Sequence, residues 1–376
     1  MNEHEFTWVR TPAELNELAA VLDDHPVHVF DTESNSGFVY DERLCLLQFE
    51  VGGAFWLVDL LAFPRDRNVL DPLRPALESS DTVTRLHGGE FDVGCLKRDF
   101  DLQLDGAWDS QQAARALGWE KTGYGSLVAE VCDVMLDKAF AHHDWGRRPI
   151  APEPLRYAVQ DVVYLSAVCD QLGQLIREAD VEEELAICNR AVMDSTWGGG
   201  YQEDGFWRIK GVGSVPRRQL PVVVALYRWR DQAGRDADLP PGRVLNNRQL
   251  LALSRNPPST PDELRRLGMH GRLVRQRGSD LLAAISAARR DPPAVPNRPE
   301  NDRGGPEVTQ RADRLKKWRR QEAARRGVPD QIVLPTASLR HLAAFPGEAL
   351  AQVPQLGAKR RRLYGATLQA FASATE

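Results

Sequence analysis

Hydrophobic positions in the first ninety residues form short runs of β-branched and aromatic side chains, which predict buried strands. These runs lie at residues 27–31, 43–51, 54–61 and 83–88. Gly52 and Gly53 separate the second run from the third and favour a hairpin turn. The first part of the chain therefore predicts a sheet that contains at least one antiparallel pair.

Beyond the third run, apolar residues recur with the spacing of a helix. This spacing predicts helices at about 71–79, 107–118, 126–136 and 153–179. Gly118 suits the C-terminal cap of the second helix, and Pro154 suits the first turn of the last. Early antiparallel strands followed by alternating strands and helices predict an α/β domain with a mixed sheet over residues 1–195.

The remaining residues carry helical patterns broken by proline and glycine, without a strand pattern. We expect a connector at 196–213, a helical domain at 214–290, a linker at 291–307 and a second helical domain at 308–376. The linker is dense in proline, glycine and charged residues, as flexible connections are. Three domains also suit a chain of 376 residues.

Composition narrows the class of protein. Hydrophobic residues make up 42% of the chain, which is enough for packed cores. No run of about 18 apolar residues occurs, and the N-terminus lacks the apolar segment of a secretory signal. The five cysteines are dispersed and form no CxxC pair, which favours structural packing over zinc or redox chemistry. We expect a cytoplasmic, monomeric protein without a membrane association.

The net charge of −5 hides an asymmetry between the two ends of the chain. Residues 307–376 hold 13 basic against 6 acidic residues, whereas the rest of the chain holds 35 against 47. An acidic first part suits a metal site, and a basic last part suits a polyanionic partner.

Five polar residues fall at strand ends, helix starts or shared helical faces of the predicted elements. Asp31 and Glu33 lie two apart at the end of the first strand, so both face the same side of the sheet. Asp92 stands at the start of a predicted helix, and Tyr157 and Asp161 lie four apart on one helical face. Taken singly, each acid is better explained as a solvated side chain or a helix cap.

The four carboxylates mean more together than singly. Carboxylate oxygens are the hard ligands that Mg²⁺ or Mn²⁺ prefers. Two such ions about 3.5–4 Å apart can clamp the attacking and leaving oxygens of a phosphodiester. Carboxylates crowded together without metal repel one another strongly. If the fold brings these four together, we expect two divalent ions between them.

The surroundings of these residues resemble the ribonuclease D family, in the tyrosine branch of the DEDD superfamily. The five residues match its three motifs, and LDKAFAHHDWGRRPIAPEPLRYAVQDVVYL (136–165) is similar to its characteristic third block. FDTES at 30–34, RLCLLQF at 43–49 and WDSQQAARALG at 108–118 resemble further family segments. The resemblance covers nearly all of 1–190 and implies a ribonuclease-H-like exonuclease fold.

The resemblance also implies a role for each residue in a 3′→5′ exonuclease. Asp31 would bridge both ions, with Glu33 and Asp161 on the ion that binds the nucleophile. Asp92 would hold the second ion, directly or through water. Tyr157 would aim the attacking water, and the product would be a 5′-mononucleotide. The segment 216–290 resembles the helicase-and-RNase-D C-terminal (HRDC) domain, and 308–374 resembles it more weakly. Asn246-Asn247 departs from its acidic helix cap, although asparagine caps helices as well.

Several further residues are candidates for substrate binding. For each, the alternative is a solvated surface charge or a structural side chain. Near the carboxylates these are His87, Lys138, Arg147 and Arg148. In the basic tail they are Lys316, Lys317, Arg319, Arg320, Lys359, Arg360 and Arg361. Arginine and lysine suit a phosphate backbone, and Trp318 or Tyr364 would be available for base stacking. The alternative places Trp318 in a helical core.

Three functions remain open from the sequence alone. The first is a 3′→5′ exoribonuclease acting on single-stranded 3′ ends of structured RNA such as tRNA precursors. The second is a 3′→5′ DNA exonuclease in repair, since the carboxylates do not distinguish ribose from deoxyribose. The third is a non-catalytic nucleic-acid-binding protein that retains a decayed nuclease fold. The presence of all four carboxylates with the tyrosine favours an enzyme.

Overall fold

A computed structural model describes residues 5–137, 139–298 and 305–373, and it divides into two compact units. The first unit holds the described residues up to 34, those of 44–198 and those from 305 onward. The second holds residues 35–43 together with 199–298. Lys138 lies outside the described residues.

A six-stranded mixed sheet forms the centre of the first unit. Its strands are β1 (Phe6–Val9), β2 (Val27–Ser34), β3 (Leu44–Val51), β4 (Ala54–Asp59), β5 (Val83–Leu86) and β6 (Ala107–Asp109). They lie in the order β1-β4-β3-β2-β5-β6, with β3 antiparallel to both neighbours and the other pairs parallel. The predicted mixed sheet is confirmed, and so is the hairpin, where Gly52 and Gly53 both adopt positive φ.

Helices cover both faces of the sheet. They are α1 (Pro12–Asp23), α2 (Arg74–Leu77), α3 (Glu90–Phe100), α4 (Ser110–Ala116), α5 (Tyr124–Cys132), α6 (Pro152–Val163), α7 (Leu165–Glu178) and α8 (Glu182–Met193). Phe30 and Phe49 point to the face covered by α1 and α3. Val29 points to the other face and packs beneath Val162 and Leu165. The chemistry predicted for Asp31 and Glu33 therefore lies under α6.

Two helix predictions need correction. The first three residues of the helix predicted at 107–118 form strand β6, because Asp109 starts the helix by accepting hydrogen bonds from two backbone N–H groups. The single helix predicted at 153–179 is two helices that meet at Tyr164, whose N–H donates to Val162 rather than four residues back. The break lets α6 cover β2 and β3 while α7 packs against α4 and α5.

The second unit is helical. Its helices are α9 (Leu220–Ala237), α10 (Pro241–Val244), α11 (Asn247–Arg255), α12 (Pro261–Arg266) and α13 (Gly271–Arg290). Residues 35–43 pack on α9, where the Tyr40 hydroxyl donates to Asp231 at 2.8 Å and the Tyr40 N–H donates to Asp238 at 3.0 Å. Asn246 and Gln249 form a capping box at the start of α11, so asparagine serves as the cap there.

The last four helices belong to the first unit. They are α14 (Pro306–Arg326), α15 (Asp330–Val333), α16 (Thr336–Ala344) and α17 (Gly357–Ser373). Ile332 shares one core with Ala113 and Val128 of the sheet-bearing part. The N-terminus of α17 lies against α8, where the Lys359 N–H donates to the Glu183 carboxylate at 2.9 Å. The basic tail is thus packed onto the α/β fold.

Candidate metal centre

The end of β2 places two carboxylates on the face covered by α6. Asp31 and Glu33 alternate with Phe30 and Thr32, and their register partners on β3 are Gln48 and Leu46. Asp161 descends from α6 onto the same face. One oxygen from each of Asp31, Glu33 and Asp161 lies within 4.8 Å of the other two. These three predicted residues therefore meet at one point.

Burial dominates the electrostatics of this cluster. It raises the pKa of Asp31 and of Glu33 well above the ordinary range, and the neighbouring carboxylates raise both further. Burial also raises the pKa of Asp161 to about 7. A site that resists ionisation in this way gains most from a cation, because a bound cation stabilises every carboxylate in its charged form.

Asp92 reaches the cluster from α3. It lies in the first turn of that helix, and its carboxylate accepts a hydrogen bond from the Thr32 hydroxyl. Its charge raises the pKa of both Asp31 and Glu33, so it stands beside them. Burial raises the pKa of Asp92 itself to about 6. Asp92 does not belong to the trio within 4.8 Å among the described residues.

Tyr157 lies one turn before Asp161 on α6. Its ring stands among aromatic neighbours, with centroids 6.3 Å from Phe140 and 6.4 Å from Trp145. Burial, followed by the charge of Asp161, raises the pKa of its phenol. Tyr157 therefore keeps its proton at neutral pH and presents a hydrogen-bond donor beside the carboxylates.

Gln48 gives an independent reason to expect a ligand here. Its side chain is fully buried on the strand beside Asp31, and neither amide atom has a hydrogen-bond partner among the described residues. A buried amide without partners is costly, so such groups usually meet a water or a ligand. An amide beside the carboxylate trio suits the hydration shell of a divalent cation.

Sequence reasoning missed four polar residues around the cluster: Thr32, Gln48, Asp109 and Tyr124. Tyr124 is half-buried, and its hydroxyl donates to the Gln160 carbonyl at 3.2 Å, one residue before Asp161. Gln48 had a usable signal, since it is a polar position within the apolar run LCLLQF, and Thr32 had one because it lies between the two acids of β2. Tyr124 had none, because its closeness to Asp161 arises only from the packing of α5.

The predicted substrate-binding residues near the cluster fare differently. His87 is held by the Ser110 hydroxyl at 2.8 Å and by the Tyr124 ring, and burial lowers its pKa to about 4. Arg148 is engaged by Asp59 and three backbone carbonyls, which leaves it in a structural position. Arg147 is 79% exposed beside Asp144 and remains accessible to a phosphate.

Two residues of the basic tail are corrected by the structure. Arg360 is 1% exposed and donates to the carbonyls of Ile332, Gln331 and Gln355. Lys359 is 8% exposed, with its ammonium against Asp180 and Glu184. Both side chains make contacts that pack α17, which favours a structural role over contact with a polyanion.

The other predicted tail residues lie at or near the surface. Lys317, Arg320 and Arg361 are exposed, and Lys316 is exposed beside Asp313. Arg319 is largely buried against Asp330.

The aromatic residues of the tail follow the alternative interpretation. Tyr364 is 5% exposed and packs edge-on against Trp318, with ring centroids 5.3 Å apart. A groove of about 430 Å³ runs beside them, and Arg325, Arg326 and Arg362 are among the residues that line it. The sequence had not singled out Arg325 or Arg326.

The chain is similar to known proteins over most of its length. A 3′-5′ exonuclease family model matches residues 6–177, and an HRDC domain model matches 219–285 and 308–371. A protein named ribonuclease D from Pseudomonas paraeruginosa is 29% identical over 385 residues, covering 98% of both chains.

Two solved structures are also similar. Escherichia coli RNase D, titled an exoribonuclease involved in structured RNA processing, has a TM-score of 0.71 at 24% identity and covers 98% of both chains. The catalytic core of RRP6 from Trypanosoma brucei has a TM-score of 0.66 at 26% identity, covering 76% of this chain and 80% of that one. Among the described residues, no helix has the length and apolar character needed to cross a membrane. The chain therefore matches a 3′-5′ exonuclease domain followed by HRDC domains, and it is similar to ribonuclease D along nearly its whole length.

Proposed function

We propose that this protein is a 3′→5′ exoribonuclease that hydrolyses phosphodiester bonds and releases 5′-nucleotides. The observation that carries the proposal is the meeting of Asp31, Glu33 and Asp161 within 4.8 Å, beneath a helix that also presents Tyr157. The 3′-5′ exonuclease family whose model matches residues 6–177 depends on divalent metal ions. Relatives named ribonuclease D match along nearly the whole chain, which supports RNA as the substrate class.

The carboxylates are proposed as the metal ligands. Asp31, Glu33 and Asp161 would hold one Mg²⁺ or Mn²⁺ ion, and Asp92 would help Asp31 to hold a second. Bound ions would stabilise the charge that develops on the attacking and leaving oxygens. The raised pKa values support this assignment, because the cluster is poorly disposed to carry its charge alone.

Tyr157 is proposed to orient the attacking water. Its phenol stays protonated, so it would donate a hydrogen bond to the attacking water beside Asp161. Contacts with Trp145 and Phe140 help to hold the ring in place. Arg147, which is exposed two residues after Trp145, is proposed to contact a substrate phosphate.

The helical part is proposed to hold the body of the RNA while its 3′ end enters the centre. We propose that the HRDC domains span 214–290 and 308–376, and that 1–195 forms the exonuclease domain. Lys316, Lys317, Arg320 and Arg361 are the tail cations that support backbone contact, since their side chains are exposed. Precursors of tRNA suit this arrangement as substrates. The monomeric state and the cytoplasmic location stay predictions.

A direct assay tests the proposal. RNA and DNA of one sequence, each labelled at the 5′ end and carrying a single-stranded 3′ tail, are incubated with Mg²⁺, Mn²⁺ or EDTA. The Asp31→Ala/Asp161→Ala double variant runs beside the wild type. Glu130→Ala is the matched control, because Glu130 is an exposed carboxylate on α5 outside the cluster.

The expected result is a ladder that shortens from the 3′ end of the RNA, is lost in EDTA and in the double variant, and persists in the control. Faster shortening of DNA would move the assignment to a DNA exonuclease. Binding of RNA without shortening under any metal would overturn the enzymatic proposal.

A further inference from the structure

Asp109 is a fully buried carboxylate outside the metal trio. It ends strand β6, and its two oxygens accept hydrogen bonds from four backbone N–H groups. These come from Gly88 at 3.1 Å, Gly89 at 3.0 Å, Gln111 at 2.8 Å and Gln112 at 3.1 Å. Each bond to the ionised carboxylate is charge-assisted, and the side chain is excluded from solvent.

The four bonds join two different turns. Gln111 and Gln112 belong to the first turn of α4, which Asp109 caps as an ordinary N-cap would. Gly88 and Gly89 belong to the turn between β5 and α3. That turn needs a left-handed residue, since Gly88 has φ +66°, and its last residue, Gly89, has no side chain with which to cap α3. The Asp109 carboxylate therefore holds this turn from another strand, because Gly89 has no side chain that could do so.

A second link holds the same two turns together. The Ser110 hydroxyl donates to the Leu86 carbonyl at 3.2 Å and contacts the His87 ring nitrogen at 2.8 Å. Asn189 of α8 accepts from the Asp109 N–H at 3.2 Å, which holds Asp109 in turn. The turn between β5 and α3 is therefore held to the end of β6 by several hydrogen bonds, and the end of β6 is held to α8 by one.

The position of Asp92 depends on this turn. Asp92 is the third residue of α3, three residues after Gly89, so the path of its backbone is set by where the helix begins. On the other side its carboxylate is held by the Thr32 hydroxyl. Groups that orient metal ligands from behind commonly change metal affinity or activity by about 10–100-fold when they are removed.

We propose that Asp109 is a positioning residue for the exonuclease reaction, which holds the start of α3 so that Asp92 faces Asp31. This inference rests on the proposed function of the site. Capping of α4 would require only the bonds to Gln111 and Gln112. The additional bonds to Gly88 and Gly89 serve the turn that carries Asp92.

The geometry suggests variants that separate the two roles. Gly88, Gln111 and Gln112 all donate to one oxygen of Asp109, whereas Gly89 alone donates to the other. In Asp109→Asn the remaining oxygen can still accept from Gly88, Gln111 and Gln112. The new amide N–H₂ faces the Gly89 N–H and cannot accept from it, so that one bond is lost. Asp109→Ser keeps an N-cap for α4 and is too short for the glycine turn. Thr11→Ala is the matched control, because it removes the cap of α1 far along the chain from Asp92.

The experiment measures Mn²⁺ affinity by calorimetry, Tm in EDTA, and kcat and KM on 3′-tailed RNA. Both Asp109 variants are expected to bind Mn²⁺ about tenfold more weakly and to lose about tenfold in kcat, with KM changed less than about twofold. Thr11→Ala is expected to lower Tm while leaving affinity and kcat at the wild-type values. Calorimetry tests the inference even if the wild-type protein shows no exonuclease activity. Such a lack of activity would overturn only the proposed function.

Two results would overturn the inference. One is Mn²⁺ affinity and kcat within about twofold of wild type in Asp109→Ser, measured well below its Tm. The other is an equal loss in Thr11→Ala at an equal fall in Tm, which would reduce the effect of Asp109 to helix stability. If Asp109→Asn does not fold, Asp109→Ser supplies the measurement, since it retains the cap of α4.

Discussion

Replacing Asp161 with asparagine is expected to stabilise the metal-free protein while abolishing its activity. Asp161 lies within 4.8 Å of Asp31 and Glu33, and burial raises its pKa from an ordinary 3.8 to about 7. Above that pH the folded protein must hold this carboxylate charged in a place that opposes the charge. Asparagine keeps nearly the same shape and carries no charge at any pH.

The sign and size follow from linkage between protonation and folding. Because the folded protein binds this proton more tightly than the unfolded chain, the carboxyl stabilises the fold at low pH. That stability falls as the pH rises from about 4 to about 7, by about 4 kcal/mol in the limit of full burial. Asp161 is only partly buried, so water and dissolved cations reduce this figure, and we expect a gain of roughly 2 kcal/mol for the variant at pH 8. For a unit of this size, that corresponds to a Tm higher by roughly 4–8 °C.

The assay is thermal unfolding of wild type and Asp161→Asn in EDTA at pH 5 and pH 8, repeated with saturating Mn²⁺. The stability gap is expected to be large at pH 8 and to narrow at pH 5, where the folded wild type keeps its proton. Saturating Mn²⁺ is expected to raise the wild-type Tm more than that of the variant, since binding to the folded state alone stabilises it. Glu130→Gln is the control for loss of an exposed acid. A variant no more stable than wild type at pH 8 in EDTA would refute the reasoning.

Three further predictions concern other parts of the chain. Lys359→Ala is expected to lower the free energy of unfolding by about 3–5 kcal/mol in chemical denaturation, because it leaves the buried Glu184 carboxylate without its partner. The control Arg361→Ala, at an exposed neighbour, should change it by about 0.5 kcal/mol or less. A loss below about 1 kcal/mol for Lys359→Ala would contradict a buried pair. Tyr157→Phe is expected to lower kcat about 100-fold with unchanged Mn²⁺ affinity, since it removes one oriented donor and no ligand, and weakened calorimetric binding would argue against that role. Lys317→Glu combined with Arg320→Glu is expected to raise KM for RNA and flatten its salt dependence while kcat stays the same, and an unchanged KM would remove this surface from the substrate path.

Local periodicity explains how much of the centre the sequence could predict. Asp31 and Glu33 share a face because strands alternate, and Tyr157 and Asp161 share one because helices repeat every 3.6 residues. Both rules act within a few residues, so they hold whatever the rest of the chain does. The family motifs then linked these pairs with Asp92, which no local rule could have done.

Long-range packing explains what the sequence could not predict. Lys359 and Arg360 looked like surface charges, since charged residues are rarely buried without partners. Their partners lie on α8, on α15 and in the turns before α8 and α17, and nothing in the local pattern of α17 identifies them. The break at Tyr164 was hidden for a similar reason, because the apolar spacing continues from α6 into α7 while the surfaces they cover differ.

The assembly of each unit from distant segments bears on how the protein folds during synthesis. Tyr40 is separated from its partner Asp231 by 191 residues, and Lys359 from Glu183 by 176. At about 5–20 residues per second, a ribosome needs roughly 10–40 s to pass from Tyr40 to Asp231. During that interval the nascent chain holds the strand of Asp31 and Glu33 before residues 35–43 have a helix to pack on. Helix α8, with its acidic first turn, is likewise synthesised before α17, which packs against it. The earliest strands are therefore made well before the contacts that complete both units.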